Sequence, residues 1–152
     1  MTLPADDQIL ITRVFNAPKH RVYRAWTTPE LVKRWWSGGL GEVTVVEIDL
    51  RVGGSWQYVM IADGGFEVGF YGEYREIVPN ERIVSTEACE GVPGEGDAVL
   101  STTTFIEAGG RTTVTLQIDA GSKEVRDSII ESGMEAGLQK GWDLLERLAV
   151  SL

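Results

Sequence analysis

The chain has 152 residues, of which 43% are hydrophobic and 24% are charged, and its formal net charge is −9. This length predicts one domain with a substantial core, which we expect to span residues 1–152 with its core between residues 8 and 150. The negative charge argues against binding to nucleic acid or to an anionic membrane surface. No apolar run reaches the roughly 18 residues of a membrane span, and no signal peptide is recognisable, so we expect a cytoplasmic protein.

Cys89 is the single cysteine and His20 the single histidine. An internal disulfide is therefore excluded, and a zinc site built from His and Cys is nearly so. A Ser–His or Cys–His nucleophile would need His20, which lies among basic residues on a predicted surface turn. Since phosphate-binding loops, dinucleotide fingerprints and paired metal carboxylates are not recognisable either, we expect no cofactor and no metal.

The first 40 residues predict a strand followed by two short helices. Residues 8–16 alternate in polarity, which is typical of a strand. Pro18 is placed to begin the first helix, and Thr28 followed by Pro29 is typical of the start of the second. We expect that helix to end near Trp36, ahead of a Ser-Gly-Gly loop.

From Glu42 onwards the pattern changes to consecutive strands joined by tight turns. The predicted strands are residues 43–50, a segment around 56–60, and residues 66–77, 82–88, 98–107 and 111–118, with a glycine-, proline- and acid-rich loop over 91–97. Strands connected in this way form an antiparallel sheet, so the fold class is α+β. Such a sheet buries one face, and only the C-terminal helix is long enough to cover it.

Residues 122–152 predict one long amphipathic helix that begins at Ser122. Gly133, Gly137 and Gly141 are four residues apart, which places them in one row along a single helix face. Each costs roughly 1 kcal/mol against alanine in a helix interior, so the row needs a reason. Either another element packs closely against that face or the face borders space for a ligand, and the sequence leaves both open.

Several separated motifs resemble one known family. They are Ala17-Pro18, residues 26–31 (WTTPEL), Trp35-Trp36, residues 49–56 (DLRVGGSW), residues 72–84 (GEYREIVPNERIV), Gly133-Met134 and Gly141-Trp142. Together they resemble the activator of heat-shock protein 90 ATPase homologue-like family of the Bet v 1/START-like (SRPBCC) superfamily. The resemblance implies a helix-grip fold. In this fold a curved antiparallel sheet of about six to seven strands wraps around a long C-terminal helix, two short helices follow the first strand, and a cavity separates sheet from helix.

The implied cavity would be lined mainly by apolar and aromatic side chains. The candidates for ligand contact are Trp35, Trp36, Trp56, Tyr58, Met60, Phe70, Tyr74, Phe105, Met134, Gly137, Gly141 and Trp142. A sheet core that binds nothing would contain the same residue types. Trp35 and Trp36 are adjacent, so at most one of them points inward, and Tyr58 and Tyr74 are favoured because a buried hydroxyl needs a partner.

The charged residues on strands add one further hypothesis. Any of Glu67, Glu73 and Glu87 that faced inward would be a buried base with a raised pKa. Alternation puts Glu67 and Glu73 on the face opposite Phe70, which favours solvent. Asp49 and Arg51 are two residues apart on a strand and predict a structural ion pair before Gly53-Gly54.

Three functions remain open from the sequence. We rank first a module that binds a small hydrophobic or aromatic ligand. An enzyme of the cyclase, hydrolase or lyase type, using an inward carboxylate or tyrosine, is the second. A co-chaperone-like protein-interaction module, implied by the family name, is the third. The sequence assigns no catalytic residues and leaves open whether the chain forms a homodimer.

Overall fold

The computed structural model describes residues 1–39, 41–62, 64–89 and 99–152. Its elements are β1 (Gln8–Phe15), α1 (Lys19–Thr27), α2 (Pro29–Trp35), β2 (Gly41–Ile48), β3 (Ser55–Ala62), β4 (Glu67–Val78), β5 (Arg82–Cys89), β6 (Val99–Ala108), β7 (Arg111–Asp119), α3 (Lys123–Glu131) and α4 (Met134–Ser151). This order confirms the α+β class and the two short helices after the first strand. The loop predicted over 91–97, and residue 98 of the strand predicted to follow it, lie outside the described residues.

The seven strands form one antiparallel sheet in the order β1-β7-β6-β5-β4-β3-β2. Chain neighbours are paired from β2 to β7, as expected for strands joined by short connections. The exception is β1, which pairs with β7. Residues directly opposite each other in adjacent strands share a face, so the register assigns one inner face to the whole sheet.

The core lies between this inner face and the helices. Its most deeply buried side chains come from β1, β7, α1, α2 and α4: Ile9, Ile11, Phe15, Val22, Val32, Val114, Trp142 and Leu145. The apolar residues of β1 and the apolar stripe of α4 thus both face the core, as the sequence patterns predict. Within the described ranges, none of the four helices combines the length and the hydropathy of a membrane-crossing segment.

The prediction of one unbroken helix over residues 122–152 is wrong. Gly133 has φ 77°, a left-handed conformation, and it separates α3 from α4. Glycine adopts this conformation without the steric penalty of a Cβ atom, and no atom lies within 4 Å of where that Cβ would stand. The predicted cap is confirmed, because the backbone N–H of Val125 donates to the Ser122 hydroxyl over 3.2 Å.

Gly141 marks a close approach between α4 and the end of α2. A Cβ atom on Gly141 would lie 2.8 Å from the carbonyl oxygen of Trp35. A Cβ atom on Gly38, in the loop after α2, would lie 3.1 Å from the carbonyl oxygen of Gly137. The glycine row therefore has at least two physical causes: a helix break at Gly133 and tight backbone packing against the end of α2 at Gly141.

Candidate ligand-binding site

Aromatic side chains on the inner side of the sheet form two clusters. We call the first the helix cluster; it comprises Phe15, Tyr23, Trp26, Trp35, Phe105 and Trp142. Trp26 is central to it, with its ring centroid 5.5 Å from those of Phe105 and Trp142 and 5.6 Å from that of Trp35. Trp35 donates its indole N–H to the carbonyl oxygen of Ala25 over 2.9 Å. Edge-to-face and tilted ring contacts of this kind make a closely packed core.

The second group, which we call the wall cluster, comprises Trp36, Trp56, Tyr58 and Phe70. Trp36 lies just after α2 and reaches the sheet, with its ring 5.4 Å from that of Tyr58 and 5.6 Å from that of Phe70. Trp56 and Tyr58 alternate on β3 and have centroids 4.9 Å apart. Thus the adjacent Trp35 and Trp36 have different neighbours, as helix geometry predicts: Trp35 packs among the helices and Trp36 against the sheet.

Glu87 brings a carboxyl group to the same inner face. On β5 it lies between Ser85, which pairs with Tyr74, and Cys89, which pairs with Phe70, so all three strand positions face inward. Burial raises the pKa of Glu87 from 4.5 to about 7. The residue is nevertheless partly exposed to solvent, and no hydrogen bond or ion pair joins it to another residue within the described ranges. Glu87 is therefore a partly exposed carboxyl with a raised pKa on the inner face of the sheet.

Two tyrosines complete the polar part of the wall. Burial raises the pKa of Tyr58 well above its usual value, and the nearby Tyr74 and Glu87 raise it further. Burial also raises the pKa of Tyr74, with smaller contributions from Tyr23 and Asp49. Both hydroxyls therefore stay protonated near neutral pH and are able to donate hydrogen bonds.

Gly72 allows the Trp56 indole to lie across β4. A Cβ atom on Gly72 would collide with the backbone carbonyl of Thr86 and would lie 2.7 Å from Nε1 of Trp56. That indole N–H is buried and has no hydrogen-bond partner among the described residues. The wall therefore contains a free donor, Trp56 Nε1, on the strand position facing Gly72.

The predicted site residues are divided between the two clusters. Trp35, Phe105 and Trp142 belong to the helix cluster and are at most 5% exposed. The wall cluster contains Trp36, Trp56, Tyr58 and Phe70. Met60 and Tyr74 share its face of the sheet, Met134 packs against the core from the start of α4, and Gly137 and Gly141 face the end of α2. Ligand contact by these residues stays a prediction.

Four inner residues were not among the predicted contacts: Phe15, Tyr23 and Trp26 of the helix cluster, and Glu87. The sequence signal for Trp26 was its place on the apolar side of the first helix. The inward position of Glu87 follows from the register of β5 with β4, which the sequence does not reveal.

The predictions for the other charged residues are largely confirmed. Glu67 and Glu73 are exposed on the outer face. The ion pair predicted for Asp49 and Arg51 is present over 2.9 Å, but it lies in the turn after β2 and not on a strand. An open hollow of about 290 Å³ on the outer face is lined by Leu10, Arg82 and polar side chains of β6 and β7. It is shallow and lies on the opposite side of the sheet from the wall cluster.

A curved antiparallel sheet packed around a C-terminal helix, with two short helices after the first strand, defines the helix-grip class of proteins. The chain belongs to the family described as Activator of Hsp90 ATPase homolog 1-like protein, whose model matches residues 16–149. The predicted family is thereby confirmed.

Solved structures of similar proteins share this fold. A protein from Chromobacterium violaceum is 28% identical, with a TM-score of 0.79 over 93% of this chain and 96% of that one. A protein from Staphylococcus epidermidis is 27% identical, with a TM-score of 0.82 over 98% and 93%. One from Rhodobacter sphaeroides, at 20% identity, has a TM-score of 0.90 over 99% and 97%. No curated protein matches the chain.

Proposed function

We propose that the protein binds a small hydrophobic or aromatic ligand between the wall cluster and helices α2 and α4. The observation that carries this proposal is Glu87, a carboxyl on the inner face of the sheet that has a raised pKa, is partly exposed to solvent and is unpaired among the described residues. Small-molecule sites are mostly apolar with a few placed polar groups. The rings of the wall cluster supply the apolar surface, and Glu87, Tyr58 and Trp56 supply the polar groups.

The unpaired donor on Trp56 adds an energetic argument. A buried polar group without a partner costs about 1–3 kcal/mol, and Trp56 Nε1 is such a group among the described residues. A ligand atom that accepts this hydrogen bond would recover part of that free energy. The site therefore favours a ligand with a polar atom attached to an apolar body.

Titration with N-phenyl-1-naphthylamine, a neutral dye that fluoresces in apolar surroundings, tests the proposal. We expect saturable binding with one dye per chain, and we expect Trp36→Ala to weaken it about tenfold or more, which corresponds to about 1.4 kcal/mol. The matched control is Tyr71→Ala, because Tyr71 is next to Phe70 on β4 but is 42% exposed on the outer face. Dye uptake that does not saturate, or equal losses in both variants, would refute the proposal.

Glu87 also favours a second candidate, an enzyme of the cyclase, hydrolase or lyase type. A carboxyl with a pKa of about 7 is half protonated at neutral pH, which suits general acid–base catalysis. Any turnover found by substrate screening should be lost in Glu87→Gln and kept in Glu73→Gln, whose side chain is exposed on the outer face. Turnover that survives in Glu87→Gln would exclude this role.

Chaperone interaction, homodimer formation and cytoplasmic location stay predictions.

A further inference from the structure

Within the described ranges, the titratable groups that the strand pairing places around Glu87 are acids. Around Glu87 they are Tyr74 on β4, Tyr58 on β3 and Cys89 on the same strand, while its partner on β6 is the apolar Val99. Burial is the cause of the raised pKa of Glu87. No ion pair joins this carboxylate to a basic residue within the described part of the chain.

Two arginines with little exposed surface, Arg13 and Arg126, form ion pairs elsewhere in the fold. Arg13 lies on β1, three strands away from β5 in the sheet, or about 14 Å at the usual strand spacing. It pairs with Asp143 over 2.8 Å and with Glu146 over 3.2 Å. Arg126, which is 7% exposed, pairs with Asp127 over 2.9 Å. The residues outside the described ranges include no lysine, arginine or histidine, so they supply no counter-ion either.

Aromatic rings next to an unpaired carboxylate are suited to an organic cation. The face of an aromatic ring attracts a cation within about 6 Å of its centroid, by about 0.5–2 kcal/mol. The wall cluster offers two tryptophans, a tyrosine and a phenylalanine on the same inner face as Glu87. The charge of the chain acts in the same direction, since residues 41–152 carry eight Lys and Arg against twenty Asp and Glu.

We infer that the ligand of this site carries a positive charge, as an amine or quaternary ammonium group on an apolar or aromatic body, with Glu87 as its counter-ion. This inference rests on the proposed function and deepens it by naming the class of ligand. Because the cation favours the ionised carboxylate, binding below neutral pH releases a proton from Glu87. The affinity for a permanently charged ligand therefore rises as the pH is raised from 5.5 to 8.

Competition against bound N-phenyl-1-naphthylamine tests the inference with two matched compounds. Benzyltrimethylammonium is the cation, and neopentylbenzene replaces its nitrogen by carbon and is neutral. At pH 8 we expect the cation to displace the dye at a concentration at least about ten times lower than the neutral compound. This advantage should shrink at pH 5.5, disappear in Glu87→Gln, and persist in Glu73→Gln.

The outcomes separate the inference from the proposed function. If the dye binds but the neutral compound competes as well as the cation, or neither compound displaces it, the inference is overturned and the proposed function stands. If the dye itself does not bind to the wild-type chain, the inference and the proposed function are both refuted. Thermal unfolding of Glu87→Gln shows whether the variant is folded. Calorimetry in buffers of different ionisation enthalpy measures the protons released when the cation binds. We expect proton release at pH 6 in the wild-type chain and none in Glu87→Gln.

Discussion

Replacing Glu87 by glutamine should change the stability of the protein in a way that depends on pH. Burial raises the pKa of this carboxyl in the folded chain from 4.5 to about 7. Well below pH 4.5 the folded and unfolded chains both hold the proton, so the burial of a charge costs nothing. Between the two pKa values the unfolded chain releases its proton and the folded chain keeps it, so the free energy of unfolding falls as the pH rises. Above the folded-state pKa both are ionised, and the loss is complete.

The size of the effect follows from the two pKa values. Since one pKa unit corresponds to about 1.4 kcal/mol, the rise from 4.5 to about 7 corresponds to about 3 kcal/mol of lost stability at high pH. We treat this as an upper figure, because water reaches part of the side chain. About 1 kcal/mol of the loss is already present at pH 5, so wild type should lose about 2 kcal/mol relative to Glu87→Gln between pH 5 and pH 8.

Urea unfolding followed by tryptophan fluorescence at pH 5, 6, 7 and 8 measures this difference. The control is Glu73→Gln, which removes an exposed carboxylate from the other face of the sheet. We expect the stability gap between Glu87→Gln and wild type to widen with pH, and the gap for the control to stay nearly constant. A gap for Glu87→Gln that is the same at all four pH values would show that the carboxyl is not buried as described.

Three further predictions concern stability, each measured by urea unfolding. Gly141→Ala should lose about 1 kcal/mol although alanine favours helices, because its Cβ would lie 2.8 Å from the Trp35 carbonyl oxygen; a gain would contradict the close packing. Ser122→Ala should lose about 1 kcal/mol, whereas Thr28→Ala should lose much less, since the Thr28 side chain makes no capping hydrogen bond; equal losses would contradict this assignment. Asp49→Asn should change stability by less than about 1 kcal/mol, since its ion pair is exposed, and a larger loss would show that the pair holds the turn.

Most of the fold was predictable because local patterns agreed with one another. Alternating polarity along β1 and glycine-rich turns between strands both favoured an antiparallel sheet, and the structure contains this sheet. The helix break was not predictable from spacing alone. Gly133 and Gly141 occupy equivalent positions in a four-residue repeat, yet one has a left-handed backbone and the other a helical one. Spacing does not encode a backbone torsion angle, so only the packed structure distinguishes them.

The candidate site was less predictable because it depends on contacts between distant strands. Trp56, Tyr58 and Phe70 of the wall cluster were predicted to share a face from alternation along β3 and β4, and Trp36 was predicted from its place at the end of the second helix. Alternation along β5 did not show which of its residues face inward, since the adjacent Ile83 and Val84 are both buried, at 6% and 9% exposure. The pairing of Cys89 with Phe70 assigns Glu87 to the inner face. This pairing joins residues nineteen positions apart, and no local pattern reports it.

The two aromatic clusters are connected through the end of α2, and this connection explains why position 141 is a glycine. Gly141 lets the backbone of α4 approach the Trp35 carbonyl, while the Trp35 indole is fixed by its hydrogen bond to Ala25. Trp36, the next residue, is thereby held against Tyr58 and Phe70. A binding wall is effective when its side chains are fixed by neighbouring packing. The glycine therefore serves the site indirectly, because it positions a tryptophan and does not leave space for a ligand at Gly141 itself.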